Sequence, residues 1–315
     1  MYRPNLKTVD CTIRDGGLMN KSQFSLKTVR AVFKAVCDAG VDYVELGYKN
    51  SDKYFSREKY GAWRFCDEQD LRAATDGIEH EDTKIAVMMD AHKSFADDIL
   101  PKEESVVDLI RVATYVKDVD KAIYIANDAM AKGYEAGINI MSVSVEGGKF
   151  LDEALHQIEE ETKVKVVYVV DSFGALYSEE VDFYIEKFQS IIKTKEVGVH
   201  FHNNQQLAFA NTIQGIIRNA NYVDGTLLGL GRGAGNCPLE LLMSFLKNPK
   251  FKILPLIEAI QDEIRPLTKT LAWGYHIPYM LTGVLNRHPL PAMEWLEKQD
   301  PDSFVDFYRE ITESN

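Results

Sequence analysis

The sequence predicts a (β/α)8 TIM barrel followed by a C-terminal helical extension. Three observations carry this. A strand-like apolar run, a loop and an amphipathic helix recur roughly eight times between Thr8 and Leu246, which is what such a barrel requires. The length, 315 residues, is long for one ordinary domain but normal for a barrel with an addition. Polar and charged residues also gather at the carboxyl ends of the apolar runs, the end at which barrels carry their sites.

In chain order, the strands are expected at Thr8–Ile13, Tyr43–Leu46, Lys84–Met89, Leu109–Ala113, Ile138–Val143, Lys165–Val170, Val197–Phe201 and Tyr222–Leu227. Ser25–Ala39 reads as a helix, with Leu26, Val29, Val32, Phe33 and Val36 on one face and Gly40 as its stop. Val119–Ala136 reads as another, closed by Gly137, and Ser178–Ile192 and Leu207–Asn219 follow the sixth and seventh strands. A doubly wound open sheet is the alternative. It would want a Gly-rich dinucleotide turn after the first strand, and Arg14-Asp15-Gly16-Gly17 is not that turn. Past Leu246, Pro249, Pro255, Pro266, Pro278, Pro289, Pro291 and Pro301 punctuate short helical pieces. Residues 1–249 are therefore expected to form the barrel and 250–315 a helical extension packed on it, with Asp300–Asn315 as a docked helical tail.

The chain is 45% hydrophobic and 27% charged, enough for a full core, and carries a net charge of −12. With a pI near 5.1, it is a poor partner for nucleic acid or an anionic membrane surface. The polar start Met1-Tyr2-Arg3-Pro4 is not a signal peptide, and no apolar run reaches the length of a membrane span. Cys11, Cys37, Cys66 and Cys237 are widely spaced, which indicates neither a zinc knot nor a disulfide framework; a reducing cytoplasm is the expected setting.

The rim is where chemistry is expected. In Val197-Gly198-Val199-His200-Phe201-His202 the two histidines stand two apart on a strand and so point to one face. Two imidazoles so placed can share a metal ion. Arg14-Asp15 ends the first run; Glu45 lies in the second, Arg111 in the fourth, and Asp171-Ser172 ends the sixth. Asp90, His92, Ser144 and Glu146 lie near other strand ends. Asp15, His200 and His202 together form a two-histidine, one-carboxylate set suited to Mn²⁺, Mg²⁺, Co²⁺, Zn²⁺ or Fe²⁺. Arg14 could meet a developing oxyanion beside such an ion, with Glu45 fixing the guanidinium.

These residues resemble a known pattern. Thr8-Val9-Asp10-Cys11-Thr12-Ile13-Arg14-Asp15-Gly16 resembles the D-x-T-[LI]-R-D-G opening of the DRE-TIM metallolyase (HMGL-like) superfamily. Gly40–Glu45, Leu109–Thr114, Val169–Ala175, Val197–Asn204 and the loop Gly231-Arg232-Gly233-Ala234-Gly235-Asn236-Cys237-Pro238-Leu239-Glu240 resemble, in order, later motifs of its 4-hydroxy-2-oxovalerate aldolases. The resemblance spans roughly residues 7–246. It implies a divalent metal, Mn²⁺ or Mg²⁺ first, on Asp15, His200 and His202, with Asn236 as a further ligand. It also implies that Arg14 steadies an enolate oxygen and that Glu45 orients Arg14.

There is one departure. The aldolases carry a histidine base three residues after the metal aspartate, where this chain has Leu18. Tyr275, His276 and Tyr279, in an aromatic cluster of the extension, are candidates to replace it, and His92 is a further one. Ser172 and Tyr279 are candidates to bind substrate. Tyr48 and Lys49 end the second strand beside the expected pocket; a Schiff-base role for Lys49 would leave the metal set without a task. Cys237, in the rim loop, is a candidate reactive thiol, while His80, His156 and His288 read as surface residues.

The activity expected is a metal-dependent aldolase or lyase that makes or breaks a carbon–carbon bond next to a 2-oxo acid such as pyruvate. A Claisen-type acyltransferase using acetyl-CoA, and a non-catalytic homologue that binds metal and oxo acid, are the alternatives. A small-molecule substrate and a possible homodimer are expected; a partner dehydrogenase is not indicated.

Overall fold

The computed structural model describes residues 1–146, 148–298 and 302–313. Among them, eight parallel strands close into one barrel in chain order: β1 (Lys7–Asp10), β2 (Tyr43–Tyr48), β3 (Lys84–Asp90), β4 (Leu109–Thr114), β5 (Glu135–Ile140), β6 (Val166–Asp171), β7 (Glu196–Phe201) and β8 (Tyr222–Gly225). β8 pairs with β1, Lys7 opposite Tyr222, and the ring shuts.

Alternation along each strand sorts the side chains into two cores. Outward residues such as Val44, Leu46, Ile110, Val112, Val167, Val169, Val197 and Val199 join the shell packed under the helices. Inward residues fill the lumen with Val9, Tyr43, Ala86, Leu109, Val166, Tyr168 and Tyr222. The Tyr168 ring crosses that lumen so closely that a Cβ at Gly198 would lie 2.6 Å from it, which is why β7 begins its inward face with glycine. Above this layer the inward positions are Glu45, Arg111, His200 and Asp224, all buried. The chain thus stacks charge on a dry aromatic floor.

The outer helices are α1 (Thr12–Gly16), α2 (Leu26–Asp38), α3 (Glu68–Thr75), α4 (Val119–Ala131), α5 (Lys149–Glu161), α6 (Ser178–Ile191), α7 (Ala208–Ile217) and α8 (Leu239–Leu246). The Ser25 hydroxyl caps α2 by accepting from Thr28 N at 3.1 Å. The first expected strand is three residues too long. Asp10 accepts hydrogen bonds from Thr12 Oγ1 and, at 3.3 Å, from Thr12 N, and this local turn diverts the chain into the single turn of α1. Arg14 and Asp15 are therefore presented from a helical turn. The helix expected to close at Gly137 stops earlier, at Ala131; Gly133, at φ +98°, makes the turn, and Gly137 lies inside β5. β5 accordingly ends at Ile140, which leaves Ser144 and Glu146 in the following loop.

Beyond residue 249 come α9 (Leu254–Ala259), α10 (Ile277–Val284), α11 (Leu290–Leu296) and α12 (Phe304–Glu313). Pro255, Pro278 and Pro291 sit in first turns, where the missing N–H costs nothing. Tyr279, Trp295, Phe307 and Ile311 form a small core of their own with Ala234 of the rim loop, so α10–α12 rest on that loop. Asn204 Nδ2 donates to Tyr279 O at 3.1 Å, tying α10 to the turn after β7. Of the expected helical tail, Asp300, Pro301, Ser314 and Asn315 lie outside the described residues. Among the described residues no helix is long and apolar enough to cross a membrane, and the four cysteines are free.

Candidate metal centre and active site

At the carboxyl rim, α1 delivers Asp15 and β7 delivers His200 and, one step past its end, His202. All three are buried, and one donor atom from each lies within 4.8 Å of the others. Asp15 Oδ2 stands 3.5 Å from His200 Nε2 and 3.9 Å from His202 Nε2. The other ring nitrogen of His200 is 2.8 Å from Asp224 Oδ2. A carboxylate there favours the tautomer with the proton on Nδ1 and leaves the Nε2 lone pair facing Asp15.

These residues fit a metal ion. Among the described residues, the buried His200 Nε2 has no hydrogen-bond partner, and neither Oδ1 nor Nδ2 of the buried Asn236 has one. Buried polar atoms of this kind are rare without a ligand to satisfy them. Gly231 makes the cradle: a Cβ there would lie 2.7 Å from Asp15 Oδ1 and 2.1 Å from Asn236 Nδ2. The backbone N of the next residue, Arg232, donates to Asp15 Oδ1 at 2.8 Å, which fixes the carboxylate. Two nitrogens, a carboxylate and an amide oxygen form a donor set for a divalent cation of the borderline or hard kind. Cys11, His200 and Asp224 also lie close together, but hydrogen bonds already occupy them: Asp224 to His200, and Arg111 Nη1 to Cys11 Sγ at 3.4 Å.

Beneath the set runs a closed ring of buried charge. Arg14 Nη1 donates to Asp15, and Arg14 Nε donates to Glu45 Oε2 at 2.6 Å. Glu45 Oε2 also lies 3.1 Å from Arg111 Nη1, and Arg111 Nη2 donates to Asp224 Oδ2 at 2.6 Å. Asp224 meets His200, and His200 returns to Asp15. Three carboxylates face two guanidiniums; burial works against charge on His200, but Asp15 and Asp224 on either side raise its imidazole above the ordinary value. Burial alone would push the Asp15 carboxyl up, but Arg14 holds it well below the usual range. Burial likewise opposes ionisation of Asp224, and Arg111 overrides it. Burial drives His202 well below an ordinary imidazole and so keeps it neutral, the form that binds metal. Arg111 also lies over the Tyr168 ring, 4.2 Å from its centroid, so the aromatic floor supports the charge above it.

A small cavity opens over this ring. Arg14, Asp15, His200, His202 and Ser172 line it, as do Tyr48, Asn139, Arg232 and an apolar wall of Leu18, Met88 and Met141. Arg232 Nη2 donates to the Ser172 carbonyl at 2.5 Å, closing one side.

The structure does not bring the aromatic candidates of the extension here. Tyr275 is 58% exposed. His276 packs edge-on against Tyr279, ring centres 5.7 Å apart, and the Tyr279 hydroxyl is spent on Ala272 O at 2.9 Å. Packing accounts for His276 and Tyr279, while Tyr275 faces solvent. His92 stacks on Tyr115 beside a separate hollow of about 770 Å³ outside the barrel. Lys49 Nζ reaches the Cys66 carbonyl at 3.5 Å and does not line the cavity. The Cys237 thiol is buried and pushed up to about 12, which makes it inert. Asp171 holds its own loop, accepting from Ala175 N at 3.1 Å and Leu176 N at 3.0 Å. Ser144 bonds Asn286. His156 and His288 are exposed, whereas His80 is half-buried against Phe33. Sequence reasoning passed over Asp224, Asn139 and Arg232 and gave Arg111 no task. The signal was present for two of them: a lone charge amid the apolar runs Leu109–Thr114 and Tyr222–Gly225 needs a buried partner.

A closed parallel barrel with two histidines and a carboxylate converging at its carboxyl rim defines a class, the barrels built to carry a divalent cation. The chain belongs to the HMGL-like family, which it matches over residues 5–261. It is 29% identical over 263 residues to 4-hydroxy-2-oxovalerate aldolase of Thermus thermophilus, covering 82% of this chain and 75% of that protein. It is 31% identical over 255 residues to the protein of the same name from Pelotomaculum thermopropionicum, covering 79% and 72%. Among solved structures, the N-terminal domain of a candidate aldolase from Bacteroides vulgatus superposes with a TM-score of 0.83 at 31% identity, over 97% of this chain and all of that one. HMG-CoA lyase of Brucella melitensis, at 16% identity and TM-score 0.67 over 84% of this chain and 99% of that one, shares the fold.

Proposed function

We propose that this chain is a divalent-metal-dependent carbon–carbon lyase of the aldolase type, acting next to the carbonyl of a 2-oxo acid. Asp15, His200 and His202 hold the metal, Mn²⁺ or Mg²⁺ by preference, and Asn236 completes the set. When bound, the ion supplies Lewis acidity to the 2-oxo group. The single observation that carries the reading is the cationic fork of Arg14, fixed by Asp15 and Glu45 at the floor of a cavity that also holds the ligand set.

The chain's own residues divide the work. Breaking the bond between C3 and C4 of a 4-hydroxy-2-oxo acid leaves an electron pair that settles on the C2 oxygen. Arg14 offers that oxygen a pre-oriented charge with no reorganisation. Glu45, held in turn by Arg111, keeps the guanidinium from swinging away. Asn139 and Arg232 are the remaining polar groups available for the substrate carboxylate. The wall of Leu18, Met88 and Met141 excludes water and faces the aldehyde half.

The test is to load the purified chain with Mn²⁺ and assay pyruvate release across a panel of 4-hydroxy-2-oxo acids. Turnover of at least one is expected, and none across a broad panel sinks the assignment. A binding protein without turnover is the second reading, favoured by Leu18 in the cavity wall; it predicts oxo-acid binding and no pyruvate.

A further inference from the structure

Cleavage of a 4-hydroxy-2-oxo acid needs a group that takes the proton of the C4 hydroxyl and returns it in the reverse direction. Among the described residues lining the cavity, six can ionise: Arg14, Asp15, Tyr48, His200, His202 and Arg232. The two arginines are permanent cations, and Asp15, His200 and His202 are committed to the metal. Tyr48 is left.

Its placement is specific. Tyr48 ends β2, is 8% exposed and packs in one cluster with Met88 and Ala113, against which Leu18 also rests. Unlike that of Tyr279, its hydroxyl has no hydrogen-bond partner among the described residues. Arg14 and Arg64 flank the ring, their guanidinium carbons 5.9 and 4.7 Å from its centroid. Two cations beside a phenol stabilise the phenolate that proton donation leaves behind.

Resting on the lyase reading above, we propose that the Tyr48 hydroxyl is the acid–base group of this site, occupying the space beside Leu18. In the bond-forming direction the enolate C3 of pyruvate attacks the aldehyde carbon. The new C–C bond forms, the aldehyde π pair moves to its oxygen, and that oxygen takes the Tyr48 proton as the C2 carbonyl is restored. The phenolate recovers a proton from water, matching the one pyruvate gave up at C3. In cleavage the Tyr48 phenol first yields its proton to water, the phenolate takes the C4 hydroxyl proton, the C3–C4 pair becomes the enolate, the aldehyde departs, and C3 of the enolate takes the proton back from water to give pyruvate. Burial pushes the Tyr48 pKa upward, so the resting group is a neutral phenol ready to donate.

The experiment compares the wild type with Tyr48→Phe, both loaded with Mn²⁺. Metal content and pyruvate affinity, measured by titration calorimetry, report whether the site is intact. Two reactions are then followed: cleavage of 4-hydroxy-2-oxovalerate, and decarboxylation of oxaloacetate. The latter produces the same enolate without a hydroxyl to deprotonate. The ratio of cleavage to decarboxylation should fall by about 10²–10⁴-fold in Tyr48→Phe, with metal and pyruvate still bound. Adding Leu18→His to Tyr48→Phe should restore cleavage by about tenfold or more, since an imidazole then faces the same space. An unchanged ratio overturns the proposal, whether because Tyr48→Phe cleaves like the wild type or because both reactions fall together. A wild type that turns over neither compound overturns the lyase reading, and this proposal with it.

Discussion

Asp224 does not line the cavity and lies at the base of the site, yet two functions converge on its Oδ2. It receives Arg111 at 2.6 Å and sets the His200 ring at 2.8 Å. Removing one member of a buried ion pair leaves the other uncompensated, and removing the carboxylate behind a metal histidine loosens the ring's orientation and tautomer. Asp224→Asn should keep the fold but weaken Mn²⁺ affinity by about 10–100-fold, measured by competition with a metallochromic chelator; unchanged affinity would show that His200 is oriented by packing alone. At this scale the sequence was legible where spacing carries information. His200 and His202 share a face because strands have a period of two, and Asp15 follows an arginine in a recognisable run. Asn139 was not legible, and the lone charge of Asp224 called for a buried partner without saying which of seven other strands supplies it.

The element that matters most is the glycine-rich loop from Gly229 to Asn236. It brings the Arg232 backbone N–H to Asp15, places Asn236 beside it, and supplies Ala234 to the core under α10–α12. Gly231 has no room for a side chain on the side of the loop that faces Asp15 and Asn236. Gly231→Ala should therefore displace Asn236 or Asp15 and lose most metal binding, while the far-ultraviolet circular dichroism spectrum stays that of the wild type. A variant that binds Mn²⁺ normally would show that the loop yields without consequence. The elements themselves were mostly readable, since apolar runs and helical faces alternate along the chain. Several ends were misjudged, two of them for identifiable local reasons. Asp10 bonding to Thr12 ends β1 early, a side-chain competition that hydrophobic periodicity does not register. The alanine-rich end of α4 gives no stop signal stronger than Gly133, and Gly137 four residues on looked the same in sequence.

Across the whole molecule, closure of the barrel turns eight separate strand ends into one site. Residues as distant in sequence as Asp15 and Arg232 meet because β8 returns to β1. The barrel was foreseeable from the recurrence of its units. The closed ring of charge was not, because it depends on register around the whole circumference. The extension was legible as proline-broken helices. Two of its aromatic residues that looked like chemistry in sequence, His276 and Tyr279, pack on each other, and Tyr279 spends its hydroxyl on Ala272. The account stands on a cation held by Asp15, His200 and His202, and metal analysis tests it most directly. After loading with Mn²⁺ and removal of excess, the wild type should retain about one equivalent per chain, while Asp15→Ala and His202→Ala, still folded by circular dichroism, should retain almost none. A wild type that retains no manganese, or folded variants that retain as much as it does, would contradict the account.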